Sequence, residues 1–327
     1  METIDPRLSS EGFLELAYAQ REQEKEESAY FIGILKEVFE DTLQPDEAAS
    51  QVSSFVFSYD DFLSVYSGVL STIVDAAHQL SEEHDLHRLA NLLLALSRLG
   101  QVRNNSAETL HLSFIGKNYE IEPDQIIEFG NGKLWSDLPY FLILFSEEMQ
   151  GPTAYLNFGR PEHIAEQEWT NVNTFAAYLV HNSNNSPCSF NHLYTFSFRT
   201  LADSLEWDPQ TEKGMDSLHS IRAALRWLKI AAQDLWQKTS CDGGWASAGL
   251  LWREYGDEKE IWSEQDEQSP HLITLARWLW WAMRLDELAK GNMIDDESKS
   301  LARASAETIR GLERDWMEVN DQMDSHE

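Results

Sequence analysis

The chain has 327 residues, 42% of them hydrophobic, and its 56 acidic against 25 basic side chains give a formal net charge of -31. That length can bury one large core or two small ones, whereas the charge opposes nucleic-acid phosphates and an anionic membrane surface, so neither is an expected partner. Only Cys188 and Cys241 are present, which excludes a disulfide framework or a cysteine-built zinc site and points to a cytoplasmic location.

The N-terminal METIDPRLSSEGFLELAYAQ lacks the charged-then-apolar order of a secretory leader, and no apolar run approaches the length of a membrane span. Ser9 and Ser10 can cap a first helix carrying Phe13, Leu14, Leu16 and Ala17; residues 21–27 are polar all round and are expected to be solvated. Helical spacing resumes at Phe31, Ile34, Leu35, Val38 and Phe39, and Pro45 opens a helix with Ala48, Ala49, Val52 and Phe55. Phe62, Val65, Tyr66, Val69, Ile73, Ala76 and Leu80 then line one helical face, and Leu86, Leu89, Leu93 and Leu96 the next, which Gly100 ends. His84 and His87 sit in the intervening polar turn without a third ligand and are expected to be solvated, not metal-bound.

Helical period is lost between 103 and 133. HLSFIGKNYEI alternates about a Gly-Lys-Asn turn and predicts a short hairpin, and Gly130, Asn131 and Gly132 signal another turn. Pro139 is expected to start a helix through Phe145. Trp169, Val172, Ala176 and Leu179 share the face of a later helix, with Asn173 inside the apolar arc. A helix from Cys188 to Leu205 is aromatic along Phe190, Tyr194 and Phe198, and bears His192, Arg199 and Asp203 opposite.

The stretch from Leu218 to Trp236 is the most enclosed. Leu218, Ile221, Leu225, Leu228, Ala232 and Leu235 form one stripe, and Ala223, Ala224, Trp227, Ile230 and Ala231 a second apolar side, leaving a narrow sector of Arg222, Arg226, Lys229 and Gln233. After the CDGGW turn comes a loop with Trp245, Trp252 and Trp262; Ser269 and Pro270 are expected to open a helix with Leu275, Trp278, Ala282 and Leu285. Trp280 is expected to project outward between Arg277 and Arg284, with arginine stacked on its indole. A last helix, about 296–320, holds Leu301, Ala304, Ile309, Leu312 and Trp316. The predicted fold is all-α: a multi-helix globular bundle with a hairpin or irregular insert near 103–133, as a single domain over 1–327, with a division into 1–102 and 134–327 as the alternative.

All twelve tryptophans lie at or beyond Trp135, so large flat surfaces concentrate in the second half. An aromatic-lined helical interior is compatible with a terpene cyclase, but the acidic pairs Asp60–Asp61, Asp257–Glu260 and Asp295–Asp296 lack the spacing that would hold magnesium on facing core helices, and that class is set aside. Nucleophile elbows, glycine-rich phosphate loops and Cys-x-x-Cys pairs are absent. What remains is a pocket acting by shape, stacking and a few hydrogen bonds, with no cofactor and no metal. Its expected ligand-binding residues are Trp169, Asn173, Arg222, Arg226 and Trp227. The plainer alternatives stay open: Asn173 as an amide tying helix to helix, and the basic sector as a strip pairing with carboxylates at the surface.

KLWSDLPYF at Lys133 to Phe141, EWTNVNTFAAYL at Glu168 to Leu179, the segment from Ile221 to Trp236 and ARWLWWAMRLDEL at Ala276 to Leu288 together resemble a fungal family catalogued as domain of unknown function 3632. Trp135, Pro139, Trp169, Asn173, Phe175 and Ala176 match what looks like its recurring signature, and the loop from Asp242 to Gln268 departs from it in being richer in tryptophan and acid. The resemblance implies an intracellular helical protein without lending catalytic residues, and some relatives appear near specialised-metabolite genes. The leading expectation is a small-molecule-binding protein of specialised metabolism, taking a small apolar or aromatic metabolite, or a cofactor-free cyclase or isomerase-type enzyme. The alternative is an interaction or regulatory protein that presents the acidic loop and Trp280 to a partner.

Overall fold

A computed structural model describes residues 12–14, 26–130, 132–157, 159–183, 190–211, 217–242, 244–259, 261 and 269–324. The fold is all-helical, with two small two-stranded antiparallel ribbons among the described residues. Within that same set no helix is long and apolar enough to cross a membrane. Ser9, Ser10, Leu16, Ala17, most of the polar run 21–27, Cys188 and Trp262 lie outside the described residues. The chain forms two compact units, residues 1–150 with 182–190 and residues 151–181 with 191–327, so the insert at 103–133 lies inside the first unit.

The first unit contains α1 (Glu26–Phe39), α2 (Pro45–Val56), α3 (Phe62–Gln79) and α4 (Glu83–Ser97). Pro45 opens α2, where a missing N–H is harmless. Asp61 caps α3 by accepting from the Ser64 N–H at 3.3 Å. The periodic residues are the buried ones: Phe62, Tyr66, Val69, Ile73 and Ala76 on α3, and Leu86, Leu89, Leu93 and Leu96 on α4.

The predicted hairpin is present as β1 (Leu110–Phe114) and β2 (Lys117–Ile121), followed by β3 (Glu128–Phe129) and β4 (Gly132–Lys133). Its turn is Ile115–Gly116, one residue earlier than the glycine-led turn expected from sequence. A two-residue hairpin loop whose twist matches the strands needs left-handed backbone at both positions, and φ is 48° at Ile115 and 69° at Gly116. Glycine adopts this freely; isoleucine does so against its β-branch. The next helix, α5 (Phe141–Glu148), also starts later than expected. Trp135, Leu138 and Tyr140 are all left-handed, so Pro139 lies in an irregular coil that cannot yet be helix. Packing holds that strained segment: Trp135 is wholly buried 5.3 Å from the Tyr66 ring, and the Tyr66 hydroxyl donates to the Pro139 carbonyl at 2.8 Å.

The second unit comprises α6 (Pro152–Asn157), α7 (Glu162–Asn182, all but its last residue), α8 (Asn191–Leu205), α9 (Ile221–Asp242), α10 (Leu250–Glu258), a 3-10 turn (Ser269–His271), α11 (Leu275–Lys290) and α12 (Asp296–Asp324). Helix α9 is the enclosed element the sequence indicates. Ile221, Leu225, Leu228, Ala232 and Leu235 are buried, as are Ala223, Ala224, Trp227 and Ala231, while Arg222, Lys229 and Gln233 face solvent. It starts after Leu218 and kinks at Ala231, whose φ and ψ are -123° and 15°. It packs on α8 and α12, and α12 on α11.

Two expectations for the C-terminal third are corrected. Ser269 and Pro270 begin only a 3-10 turn, because residues 271–273 are drawn out to pair with the segment after α9: Ala246 N–H donates to the His271 carbonyl and Ile273 N–H to the Gly244 carbonyl, both at 2.9 Å. Helix α11 is capped by Thr274, whose side chain accepts from Arg277 N–H at 3.3 Å. On α12 the buried stripe is Ala302, Ser305, Ala306 and Ile309; Ala304 and Trp316 are exposed.

These packing assignments carry a stability prediction. Leu225 is fully buried mid-stripe, so Leu225→Ala should cost about 2–5 kcal/mol in a urea melt. A methyl added at Gly249 would lie 2.4 Å from the Glu206 carbonyl oxygen, so Gly249→Ala should also lower the midpoint, whereas His192→Ala, at an exposed site, should leave it unchanged.

Candidate functional site

Of the five residues expected to bind ligand, three form one buried cluster. The Asn173 Nδ2 donates to the Trp169 carbonyl at 2.8 Å, and its Oδ1 accepts from Trp227 Nε1 at 2.7 Å and Thr200 Oγ1 at 3.1 Å. Asn173 and Trp227 are wholly buried. One amide therefore ties α7, α8 and α9 together, with three of its four hydrogen-bonding sites engaged inside the protein. Trp169 packs 6.4 Å from the Tyr155 ring, 4% exposed, and its Nε1 finds no hydrogen-bond partner among the described residues.

The other two residues lie elsewhere. Arg226 is near Glu297 at 3.9 Å. Arg222 donates to Asp295 at 2.9 Å and lines a cleft of about 370 Å³ with Glu162, Glu166, Leu218, His219, Ile221, Met293, Ile294 and Asp295. Asp295 also caps α12, accepting from Ser298 N–H at 2.9 Å and Ser298 Oγ at 2.8 Å. Burial works to raise the Asp295 carboxyl, but the Ser298 N–H, the Arg222 guanidinium and the Ser298 hydroxyl together hold it well below the usual carboxylate range. Arg222 is pushed up, chiefly by its hydrogen bond to Asp295. Across the cleft, Glu162 and Glu166 stand four residues apart in the first turns of α7, and His219 Nδ1 hydrogen-bonds Glu166 Oε1 and lies 3.6 Å from Glu162 Oε1.

This cluster escaped sequence reasoning because His219 is 53 residues from Glu166. The pair of glutamates at helical spacing was the only readable trace. The two histidines weighed from sequence do not come together: His84 lies 3.0 Å from Asp85, and His87 pairs with Asn91 at 3.2 Å.

A second depression, of about 200 Å³ and open on one side, is lined by Trp236, Thr239, Ile273, Thr274, Leu275, Trp278 and Trp316. Trp236 and Trp278 pack at 5.6 Å and 58°. The Thr239 hydroxyl donates to the Leu235 carbonyl at 2.8 Å and is approached by Trp278 Nε1 at 3.4 Å, and the Thr274 oxygen caps α11, so the wall presents indole faces and methyls. Trp280, expected to project outward, is 4% exposed and packs against Trp252 at 5.5 Å and Tyr255 at 6.1 Å. The expected arginine stack is there in part: Arg284 lies 5.9 Å over Trp280, while Arg277 lies over Trp281. The large indole takes the interior because α10, whose position the sequence did not indicate, covers it.

The helical fold and these sites describe a globular all-α protein with a polar and an aromatic depression in its second unit. The chain matches the family described as protein of unknown function (DUF3632) over residues 71–285, and it belongs to that family. The matched span includes Trp135, Glu162, Glu166, the Asn173 cluster and His219, and stops short of Asp295 and Trp316. No curated protein and no solved structure matches the chain.

The Asn173 geometry predicts that Asn173→Leu, by stranding Trp227 Nε1 and Thr200 Oγ1, destabilises the protein by about 1–3 kcal/mol in a denaturant melt. A variant as stable as the parent would show that the amide holds nothing together.

Proposed function

We propose that the protein binds a small, flat, apolar or aromatic molecule in the groove between Trp236, Trp278 and Trp316, and that it acts there as a binding protein. What supports this is the lining itself: three indoles and aliphatic groups around about 200 Å³, with both hydroxyls already engaged. The volume suits a one- or two-ring compound lying partly in solvent. None of the seven lining residues titrates near neutral pH, so a cofactor-free cyclase or isomerase would have to bring its acid and base from elsewhere. The imidazole–carboxylate pair of His219 and Glu166 stands far from the groove: Asp295 and Trp316 are separated by most of α12, about 30 Å at 1.5 Å per residue. A partner-docking role resting on Trp280 loses its anchor, since that side chain is buried. A cytoplasmic setting in fungal specialised metabolism is proposed on the resemblance and the cysteine usage.

The test is a titration with prodan, a neutral naphthalene dye that brightens in apolar surroundings. Saturable binding of one dye per chain is expected, weakened about tenfold or more in Trp316→Ala, whose side chain is 41% exposed and contributes little to the core. Absence of saturable binding, or equal affinity in the variant, would overturn the assignment.

A further inference from the structure

The acidic cleft at the other end of α12 has a different chemistry. We propose that Glu162, Glu166 and His219 form a binding site for one divalent first-row transition ion of the zinc type, with its open coordination positions facing the cleft. One ligand atom from each residue lies within 4.8 Å of the others, and among the described residues this is the one group of histidine and carboxylates so arranged. Ligands about 2.0–2.2 Å from a tetrahedral zinc ion stand about 3.4 Å apart, and the His219 Nδ1 to Glu162 Oε1 separation is already 3.6 Å.

The donor set selects the ion. An imidazole nitrogen with two carboxylate oxygens suits zinc, cobalt or manganese better than calcium or magnesium, which favour oxygen alone. The three donors come from two separate elements, the start of α7 and the turn before α9, so they are not merely one acidic face of a helix. Glu166 and His219 are partly shielded, and Glu162, whose side chain is 69% exposed, is free to swing in and close the triangle. Arg222, the cation best placed to neutralise the site, has its fork turned to Asp295 at 2.9 Å. The cleft therefore sets three carboxylates against one guanidinium, which favours a cation. Its volume of about 370 Å³ leaves room for water or a small ligand on the ion.

This site is independent of the aromatic groove and is tested with different probes. Full-length protein, freed of metal by a chelator, is titrated with zinc by calorimetry and with cobalt by visible absorption. Expected are one zinc per chain, a cobalt spectrum of low coordination number that zinc abolishes, and no competition from millimolar magnesium. His219→Ala and Glu162→Gln should each weaken binding by about tenfold to a hundredfold or more, while Trp316→Ala leaves it unchanged. Glu162→Gln alters a largely exposed side chain, so it keeps the test valid if His219→Ala fails to fold. Weak zinc uptake of no fixed stoichiometry, or uptake indifferent to Glu162→Gln, would overturn the proposal.

Discussion

The second unit depends on one buried ion pair. Glu206, just past α8, and Arg277, in the first turn of α11, both have fully buried side chains, and they meet through two bonds, Nε to Oε1 at 2.7 Å and Nη2 to Oε2 at 3.0 Å. Desolvating such a pair costs more than the pairing returns unless the remaining hydrogen-bonding capacity is also met. Here it is met. Trp281 Nε1 and the Gly249 N–H each donate to the carboxylate at 2.7 Å, and Arg277 Nη1 donates to the carbonyls of Ala246 at 3.1 Å and His271 at 3.0 Å. Burial pushes the Glu206 carboxyl up against the combined pull of Arg277, Gly249 and Trp281.

The geometry of the aromatic groove follows from that clasp. Arg277 gathers the carbonyls of two segments, 246–247 and 270–272, and so fixes the paired stretch that ends at Ile273 and Thr274, both of which line the groove. Gly244 makes the pairing possible, since a methyl there would lie 2.8 Å from the Phe198 ring. His271 completes the arrangement. Its Nδ1 accepts from the Ala248 N–H at 3.0 Å, which requires an unprotonated nitrogen, and burial together with the charges of Arg253 and Arg277 lowers its pKa in the same sense. Trp245 stacks on that imidazole at 5.4 Å.

How much of this was legible in the sequence depended on the range of the interaction. Helical period alone gave α3, α4 and α9 and their buried faces, because Tyr66, Leu93 and Leu225 each sit among neighbours three and four residues away. The hairpin was legible from alternation, but its turn was not, because the left-handed Ile115 runs against its own steric preference and only the strand register requires it. The Ser269-Pro270 signal was outweighed by pairing with residues near 245, and a chain read locally carries no trace of that. Trp169 and Asn173, read as lying on the apolar arc of one helix, are both buried there, whereas Trp227 joins Asn173, His219 joins Glu166 and Arg277 joins Glu206 across 54, 53 and 71 residues.

The two depressions share walls without sharing chemistry. Arg222 and Thr239 lie on the same helix, and Asp295 caps the helix that carries Trp316, so α9 and α12 each run from the acidic cleft to the aromatic groove. Proximity on one helix is not coupling: occupancy at one end changes affinity at the other only if some element between has two arrangements that both ligands distinguish. The kink at Ala231 is the irregular point within α9, but Ala231 is wholly buried and Leu228 and Leu235 on either side are enclosed as well. Close packing around a kink of this kind resists continuous deformation. Contributions of the two ends to stability should then add, as they do for sites more than about 10 Å apart without common partners. A double variant combining Glu162→Gln with Trp316→Ala would show it directly: the sum of the two single shifts in melting free energy supports separate sites, and a clear departure from the sum would reveal a second state of α9 or α12.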